Sequence, residues 1–263
     1  MSTVFPHPIR LITCDIDGTL LLNGASCVDP EVLRQVDRLL EKGVLFCPAS
    51  GRQYQSLRGL FPRQADKLHY ICENGAIVYG PGSPGPVLGK NPMPRLAACR
   101  LAHEVLALEG VEICLAGANT SYLCPKTEAY LALVRDGYGN NTAVLKAPED
   151  CPEDIVKISA YCPQGVAPVQ AVLFPRWKGT FQCAVSGAEW IDFTVSDKGT
   201  GLMLLCRALG IALENVLSFG DNYNDLPMLQ LAGCGYLMEG AAQELRRRIP
   251  RQCCRVQDIL RLV

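Results

Sequence analysis

The chain has 263 residues, enough for one large domain or two modest ones, each able to bury its own core. Hydrophobic residues make up 49% and charged residues 19%, which excludes an intrinsically disordered chain. Its 25 basic and 26 acidic residues leave a formal net charge of −1, which excludes a global field that would draw it to nucleic acid or anionic lipid.

The expected partner is therefore a small molecule, with no nucleic acid and no membrane, and the expected state is a monomer or weak homo-oligomer. No run approaches the ~20 apolar residues that cross a bilayer. The opening Met1-Ser2-Thr3-Val4-Phe5-Pro6-His7-Pro8 has no basic stretch followed by an apolar one, so a cytoplasmic location is expected. The 14 cysteines are scattered with no C-x-x-C spacing, and Cys14, Cys47 and Cys72 lie in apolar runs, as reduced core thiols do. His7, His69 and His103 are isolated and receive no metal-binding role.

In chain order, Ile9–Cys14 is a short β-rich run that ends on Asp15-Ile16-Asp17-Gly18-Thr19. Asp29-Pro30 reads as an N-cap and first helical residue. Val32, Leu33, Val36, Leu39 and Leu40 then give one apolar helical face, and Gly43 ends it. Val44–Cys47 is a second strand, followed by Ser50-Gly51-Arg52 and a helical stretch to about Leu60. His69–Cys72 is a third, ending at Glu73-Asn74-Gly75. This alternation predicts a parallel sheet with helices on both faces.

The turn residues of Gly80–Pro86 interrupt the pattern as a linker or an exposed hairpin tip. A different order follows: a helix from Arg95 to about Glu109, a strand at Val111–Leu115, a helix near Glu128–Val134 and a strand at Ile155–Tyr161. A helix near Val166–Phe174 and strands at Phe181–Val185 and Trp190–Val195 complete it. This mixed order predicts an inserted α+β domain. The α/β pattern resumes with a helix from about Thr200 to Leu209, closed by Gly210, and a strand Val216–Phe219 leading into Gly220-Asp221-Asn222-Tyr223-Asn224-Asp225. Ligands of open α/β sheets bind beyond the carboxyl ends of the strands. The segments ending at Asp15, Ser50, Asn74 and Asp221 are thus expected to meet in one crevice.

Asp15 and Asp17 lie too close to be comfortable as like charges unless a cation joins them. With Asp221 they offer the hard oxygen ligands that Mg²⁺ takes together with water and phosphate. Gly18 and Thr19 allow a sharp turn whose N–H groups can face an anion. Taken singly, each feature also has a plain structural reading. Asp-x-Asp-Gly can be an acidic turn, Ser50 an N-cap and Lys198 a solvated surface lysine. Ser50 would otherwise face an anion at the positive end of the following helix, and Lys198 at a helix opening would call for a compensating anion. The Asp221–Asp225 loop has more Asp and Asn side chains than a turn needs.

Together these segments resemble the haloacid dehalogenase-like superfamily, and within it the Cof-type phosphatases with a type IIB cap. The resemblance rests on Asp15-Ile16-Asp17-Gly18-Thr19-Leu20, Ala49-Ser50-Gly51-Arg52, Lys198-Gly199 and Gly220–Asp225, with Glu73-Asn74-Gly75-Ala76 between the second and third. It implies an α/β fold with a Rossmann-like parallel-sheet core domain at 1–80 and 189–263 and an inserted α+β cap domain at 81–188. It further implies a Mg²⁺-dependent phosphatase acting through an aspartyl-phosphate on a small phosphorylated metabolite such as a sugar phosphate. Asp15 would be the nucleophile and Asp17 the proton carrier. Asp15, Asp221 and the main-chain carbonyl of Asp17 would hold the metal. Ile16 (backbone), Ser50, Gly51, Lys198 and Asn224 would bind the phosphoryl group, supported by Arg52, Asn74, Asn222 and Asp225, the last orienting Lys198 or a metal-bound water.

Serine at position 50, where many relatives have threonine, keeps the hydroxyl. The basic run Arg246–Arg248 and Arg251 lacks the turn common in relatives and reads as a solvated face. Arg176, Trp177 and Lys178 are equally readable as a grip on a second substrate group, a solvated loop or part of a cap core. A sugar phosphomutase shares the cap and both acids and differs in where the phosphate ends. A non-catalytic phosphate-binding protein would have no use for Asp17, and a P-type pump would need membrane spans.

Overall fold

β1 (Leu11–Asp15) is buried along its whole length, as a central strand covered on both faces must be. The computed structural model to which it belongs describes residues 5–263. After β1 the chain forms α1 (Pro30–Glu41), with Asp29 accepting the Glu31 N–H at 2.8 Å and Val32, Val36 and Leu39 facing inward. There follow β2 (Leu45–Ala49), α2 (Tyr54–Gly59), β3 (Tyr70–Cys72), β4 (Ile77–Tyr79) and β5 (Val87–Lys90). Gly80–Pro86 is the tip between β4 and β5, tied by the Gly80 N–H to the Pro86 carbonyl at 2.8 Å. Of the two readings left open for this run, it is the hairpin tip.

The inserted segment holds α3 (Arg95–Leu106), β6 (Glu112–Ala116), β7 (Ser121–Leu123), α4 (Glu128–Ala132), β8 (Thr142–Val144) and β9 (Lys157–Tyr161). It ends with α5 (Ala167–Trp177), β10 (Gln182–Ser186) and β11 (Trp190–Thr194). Its six strands form one sheet in the order β10-β11-β9-β6-β7-β8, antiparallel except for the parallel pair β7 and β8. The period of two divides its faces. Ile113, Leu115, Ile158, Ala160, Ile191 and Phe193 pack with residues of α3 and α5. On the opposite face Cys114, Leu123, Tyr161 and Trp190 pack with Tyr130 and Val134. Trp177 is buried in the first cluster, stacks on Phe181 at 5.5 Å and donates to Glu104 at 2.9 Å, so this residue belongs to a cap core.

The last segment is α6 (Lys198–Leu209), β12 (Val216–Gly220), α7 (Leu226–Leu231), β13 (Cys234–Met238), α8 (Gln243–Arg248), β14 (Gln252–Cys253) and α9 (Val256–Leu260). The eight strands outside the insert form a second sheet, ordered β14-β13-β12-β1-β2-β3-β4-β5. Pairing is parallel from β14 to β3, and β4 runs antiparallel to β3. The only hydroxyls facing each other across β1 and β12, those of Thr13 and Ser218, satisfy one another at 2.6 Å in the core.

Two compact units result: one of residues up to Arg52, Leu57–Gly89 and Asp197–Val263, the other of Lys90–Ser196 with Gln53–Ser56. The divisions fall later than the expected 80/81 and 188/189. β5 adds to the eight-stranded sheet and β11 to the six-stranded one, so each unit keeps a strand that the expected bounds would have cut away. No helix among the described residues is long and apolar enough to cross a membrane.

Candidate active site

β12, β1, β2 and β3 are adjacent in the eight-stranded sheet and parallel, so their carboxyl ends lie side by side. Asp15 ends β1, Ala49-Ser50 closes β2, Glu73-Asn74 follows β3, and Gly220-Asp221 closes β12. From β1 the chain winds one way to β2 and the other way to β12. The aspartates therefore stand at the switch point of strand order where α/β sheets open a crevice.

Lys198 is the first residue of α6, yet it is 1% exposed. Asp197 caps the helix by accepting the Thr200 N–H at 2.7 Å, and the lysine side chain ends between the carboxylates of Asp15 and Asp225. The anion expected to compensate a cation at this helix end is thus in part protein, and the surface-lysine reading is excluded. Burial alone would lower the Lys198 pKa. The two carboxylates outweigh it and hold the ammonium charged well above its ordinary range.

Burial pushes the Asp15 carboxyl up to about 7, opposed by Lys198 and aided by Asp225. Asp221 is raised as well, by burial first and Asp225 second. Oxygen atoms of Asp15, Asp221 and Asp225 lie within 4.8 Å of one another, and Asp15 Oδ2 is buried with no hydrogen-bond partner among the described residues. An all-oxygen set of this kind fits a small hard divalent cation. Asp225 is the least available of the three. Its Oδ1 takes Lys198 at 2.5 Å and its Oδ2 accepts the N–H groups of Asp221 and Asn222, both at 2.9 Å. Asp225 thus joins Lys198 to the loop that carries Asp221.

The turn after Asp15 is built on Ile16, whose carbonyl accepts from Thr19, Leu20 and Leu21 at 2.8–3.3 Å. Gly18, at φ +93°, lies so close to Asp221 that a Cβ there would fall 2.2 Å from its Oδ2. Asp17 stands apart from the carboxylate cluster. Its side chain is 59% exposed and is held by Arg52 at 2.6 and 3.0 Å.

Ser50 is buried and its Oγ accepts the Arg52 N–H at 3.2 Å, leaving the hydroxyl proton to be donated elsewhere. Helix α2 begins only at Tyr54, so Ser50 is not at a helix N-terminus. Gly51 abuts Asn74, where a Cβ would meet the amide at 3.1 Å. Asn74 is left-handed at φ 55°, its N–H bonds to the Ser50 carbonyl at 3.0 Å, and its Oδ1 lies 3.5 Å from Asn224 Nδ2. Asn222 accepts the Tyr223 N–H at 2.8 Å and so shapes the last loop.

Sequence reasoning gave Thr19 only a backbone role, whereas its hydroxyl reaches Asp221 at 3.4 Å. The signal was present in a hydroxyl residue placed two positions after Asp17.

A family profile described as haloacid dehalogenase-like hydrolase matches residues 12–253. The chain belongs to this family. Among curated relatives of this haloacid dehalogenase-like hydrolase, 5-amino-6-(5-phospho-D-ribitylamino)uracil phosphatase YbjI of Escherichia coli (strain K12) is 27% identical over 89% of this chain and 86% of its own. Pyridoxal phosphate phosphatase YbhA of the same organism is 25% identical over 91% of this chain and 91% of its own. A solved structure from Eubacterium rectale superposes with a TM-score of 0.84 at 30% identity, covering 96% of this chain and 98% of that one. The HAD subclass IIB sugar phosphatase BT4131 superposes with a TM-score of 0.78 at 19% identity, covering 97% and 100%, a likeness of fold.

Proposed function

We propose that this hydrolase is a Mg²⁺-dependent phosphatase that cleaves the phosphate monoester of a small metabolite, a sugar phosphate or similar, through an aspartyl-phosphate on Asp15. The observation that carries the reading is the buried Asp15–Lys198–Asp225 arrangement beside Asp221. It supports the reading because a carboxylate able to attack phosphorus, a fixed cation and an all-oxygen donor set lie together there. Support for the substrate class comes from relatives named for ribityl and pyridoxal phosphates and from a net charge that favours no polyanion.

When bound, Mg²⁺ would be held by Asp15, Asp221 and the main-chain carbonyl of Asp17, and it would neutralise phosphoryl oxygens so that a carboxylate can approach. Ser50, the backbone of Ile16 and Gly51, Lys198 and Asn224 orient the phosphoryl group. An oxygen of Asp15 attacks phosphorus in line, the bond to the leaving group breaks, and Asp17 gives its proton to the departing oxygen. Water then attacks the aspartyl-phosphate while Asp17 takes its proton. The bond to Asp15 breaks, releasing inorganic phosphate and restoring the carboxylate.

The test is phosphate release from a panel of phosphorylated metabolites with Mg²⁺, run beside Asp15→Asn and Asp17→Asn. Turnover is abolished in the first variant. The second forms a phosphoenzyme slowly and holds it. Wild-type turnover in Asp15→Asn, or no release from any panel member or from an activated aryl phosphate, overturns the assignment.

A further inference from the structure

Asp15 and Asp225 are buried on Lys198, and Asp221 is half-buried beside them. Asp17 is placed differently. More than half of its side chain is exposed, and the fixed group that meets it is Arg52, whose Nε donates to Oδ2 at 3.0 Å and whose Nη2 donates to Oδ1 at 2.6 Å. Two parallel bonds from a planar guanidinium fix both the position of a carboxylate and its rotation, which a point charge cannot do.

Arg52 is itself anchored at its main chain. Its N–H donates to Ser50 Oγ at 3.2 Å and its carbonyl accepts from Glu73 at 3.3 Å, so the fork springs from a segment tied to the ends of β2 and β3. Asp17 rides on an equally defined turn, bridged to Leu21, with Gly18 N–H on the Leu21 carbonyl at 3.0 Å. An ion pair this exposed contributes little to stability. What it supplies is direction, and a proton carrier depends on direction because it must lie within hydrogen-bond reach of the oxygen it serves.

We propose that Arg52 is the positioning residue of the proton carrier, its guanidinium fork setting the carboxylate of Asp17 for transfer to and from the reacting oxygens. The inference rests on Asp17 serving as that carrier. In the first half-reaction the proton passes from Asp17 to the leaving oxygen as the phosphorus–oxygen bond breaks. An alkyl oxygen needs that proton, and a nitrophenolate does not. A misdirected Asp17 therefore harms alkyl esters most.

The experiment uses Arg52→Gln, which removes charge and fork, and Arg52→Lys, which keeps the charge and removes the fork. Each is made in the wild type and in Asp17→Asn, with a sugar phosphate and p-nitrophenyl phosphate as substrates. With the sugar phosphate, both single variants lose about 10- to 100-fold in kcat, part of the roughly 10²–10⁴ that general acid–base groups supply. KM and the thermal midpoint stay near wild type, and formation of the phosphoenzyme from p-nitrophenyl phosphate is less affected. In the Asp17→Asn background, where the reaction halts at the phosphoenzyme, Arg52→Gln causes no additional loss in the rate at which the phosphoenzyme forms from the sugar phosphate, because the group it acts through is gone.

An equal loss in both backgrounds would show that Arg52 acts independently of Asp17 and overturns the proposal. So would Arg52→Lys with wild-type kcat, or a variant whose KM rises at unchanged kcat, the mark of a substrate-binding arginine. Wild-type turnover in Asp17→Asn alone overturns the role of Asp17 itself, and the two failures are thereby told apart.

Discussion

Lys198 gives one of its buried bonds to Asp225 at 2.5 Å, and the other oxygen of Asp225 collects the main-chain N–H groups of Asp221 and Asn222. One carboxylate thus fixes both the site's cation and the loop that carries Asp221. Asp225 is the joint between two parts of the site that arrive from different elements, α6 and the end of β12.

Replacing Asp225 separates its two tasks. Asp225→Ala strands Lys198 with Asp15 alone and leaves two N–H groups without their acceptor. Breaking a buried pair from one side costs about 3–5 kcal/mol. Thermal unfolding is expected to drop by roughly 6–20 °C for a chain of this size. Asp225→Asn keeps one acceptor for the loop and loses the charge facing Lys198, so it retains more stability than the alanine variant while turnover still falls. Calorimetry and phosphate release measured on both variants check this. An alanine variant as stable as wild type refutes the joint.

Metal addition and pH are linked through Asp15. Burial raises its folded pKa to about 7 from an unfolded value near 4, so its protonated form favours the fold. In chelated protein this contribution is complete below about pH 4 and is lost as pH rises through about 7. A divalent cation needs the ionised carboxylates and must displace that proton. Mg²⁺ is therefore expected to raise the melting temperature more at pH 8 than at pH 5.5. At a hundredfold excess over its Kd the gain is about 2.7 kcal/mol. Melting curves with and without Mg²⁺ at the two pH values decide it, and an equal or larger shift at pH 5.5 contradicts the linkage.

The parallel core was legible because its strands are uninterrupted apolar runs that stop on acids. Leu11–Asp15 and Val216–Gly220 are buried at every position, a pattern that solvent-facing strands do not produce. The short strands Ser121–Leu123 and Thr142–Val144 were not legible. The second has no fully buried residue and so carries no hydrophobic period. The acids and Lys198 could be picked out by type and spacing, but the environment of each could not. That Lys198 is sealed between carboxylates while Asp17 lies open under Arg52 depends on pairings between residues remote in the chain. Ser50 precedes a helix in the sequence, but the three residues between it and Tyr54 keep it away from that helix's dipole.

Tyr130 is buried at 2% exposure in the second cluster of the inserted unit, stacked on Tyr161 at 5.6 Å, and its hydroxyl has no hydrogen-bond partner among the described residues. A buried hydroxyl that has surrendered water without replacement destabilises the fold by about 1–3 kcal/mol. Tyr130→Phe keeps the ring and removes that penalty. The variant is expected to melt higher by a few degrees, with kcat and KM unchanged. A lower melting temperature would show that the hydroxyl has a partner after all.

Gly18 tests the metal geometry without replacing a ligand. At φ +93° a side chain is strained by roughly 1–2 kcal/mol, and a Cβ would stand 2.2 Å from Asp221 Oδ2 and 2.6 Å from its Cγ. Gly18→Ala must therefore displace the Asp221 carboxylate or the turn that follows Asp15, and either movement spoils the donor set. Lys198, Asp15 and Asp225 keep their mutual contacts, so the loss should fall on metal affinity first. The Mg²⁺ concentration for half-maximal turnover is expected to rise about tenfold, the lower end of what disturbing the support of a ligand costs. Activity at saturating Mg²⁺ should recover much of the wild-type rate. If half-saturation is unchanged and only the maximal rate falls, Asp221 is not held where Gly18 can move it, and its place as a metal ligand is refuted with it.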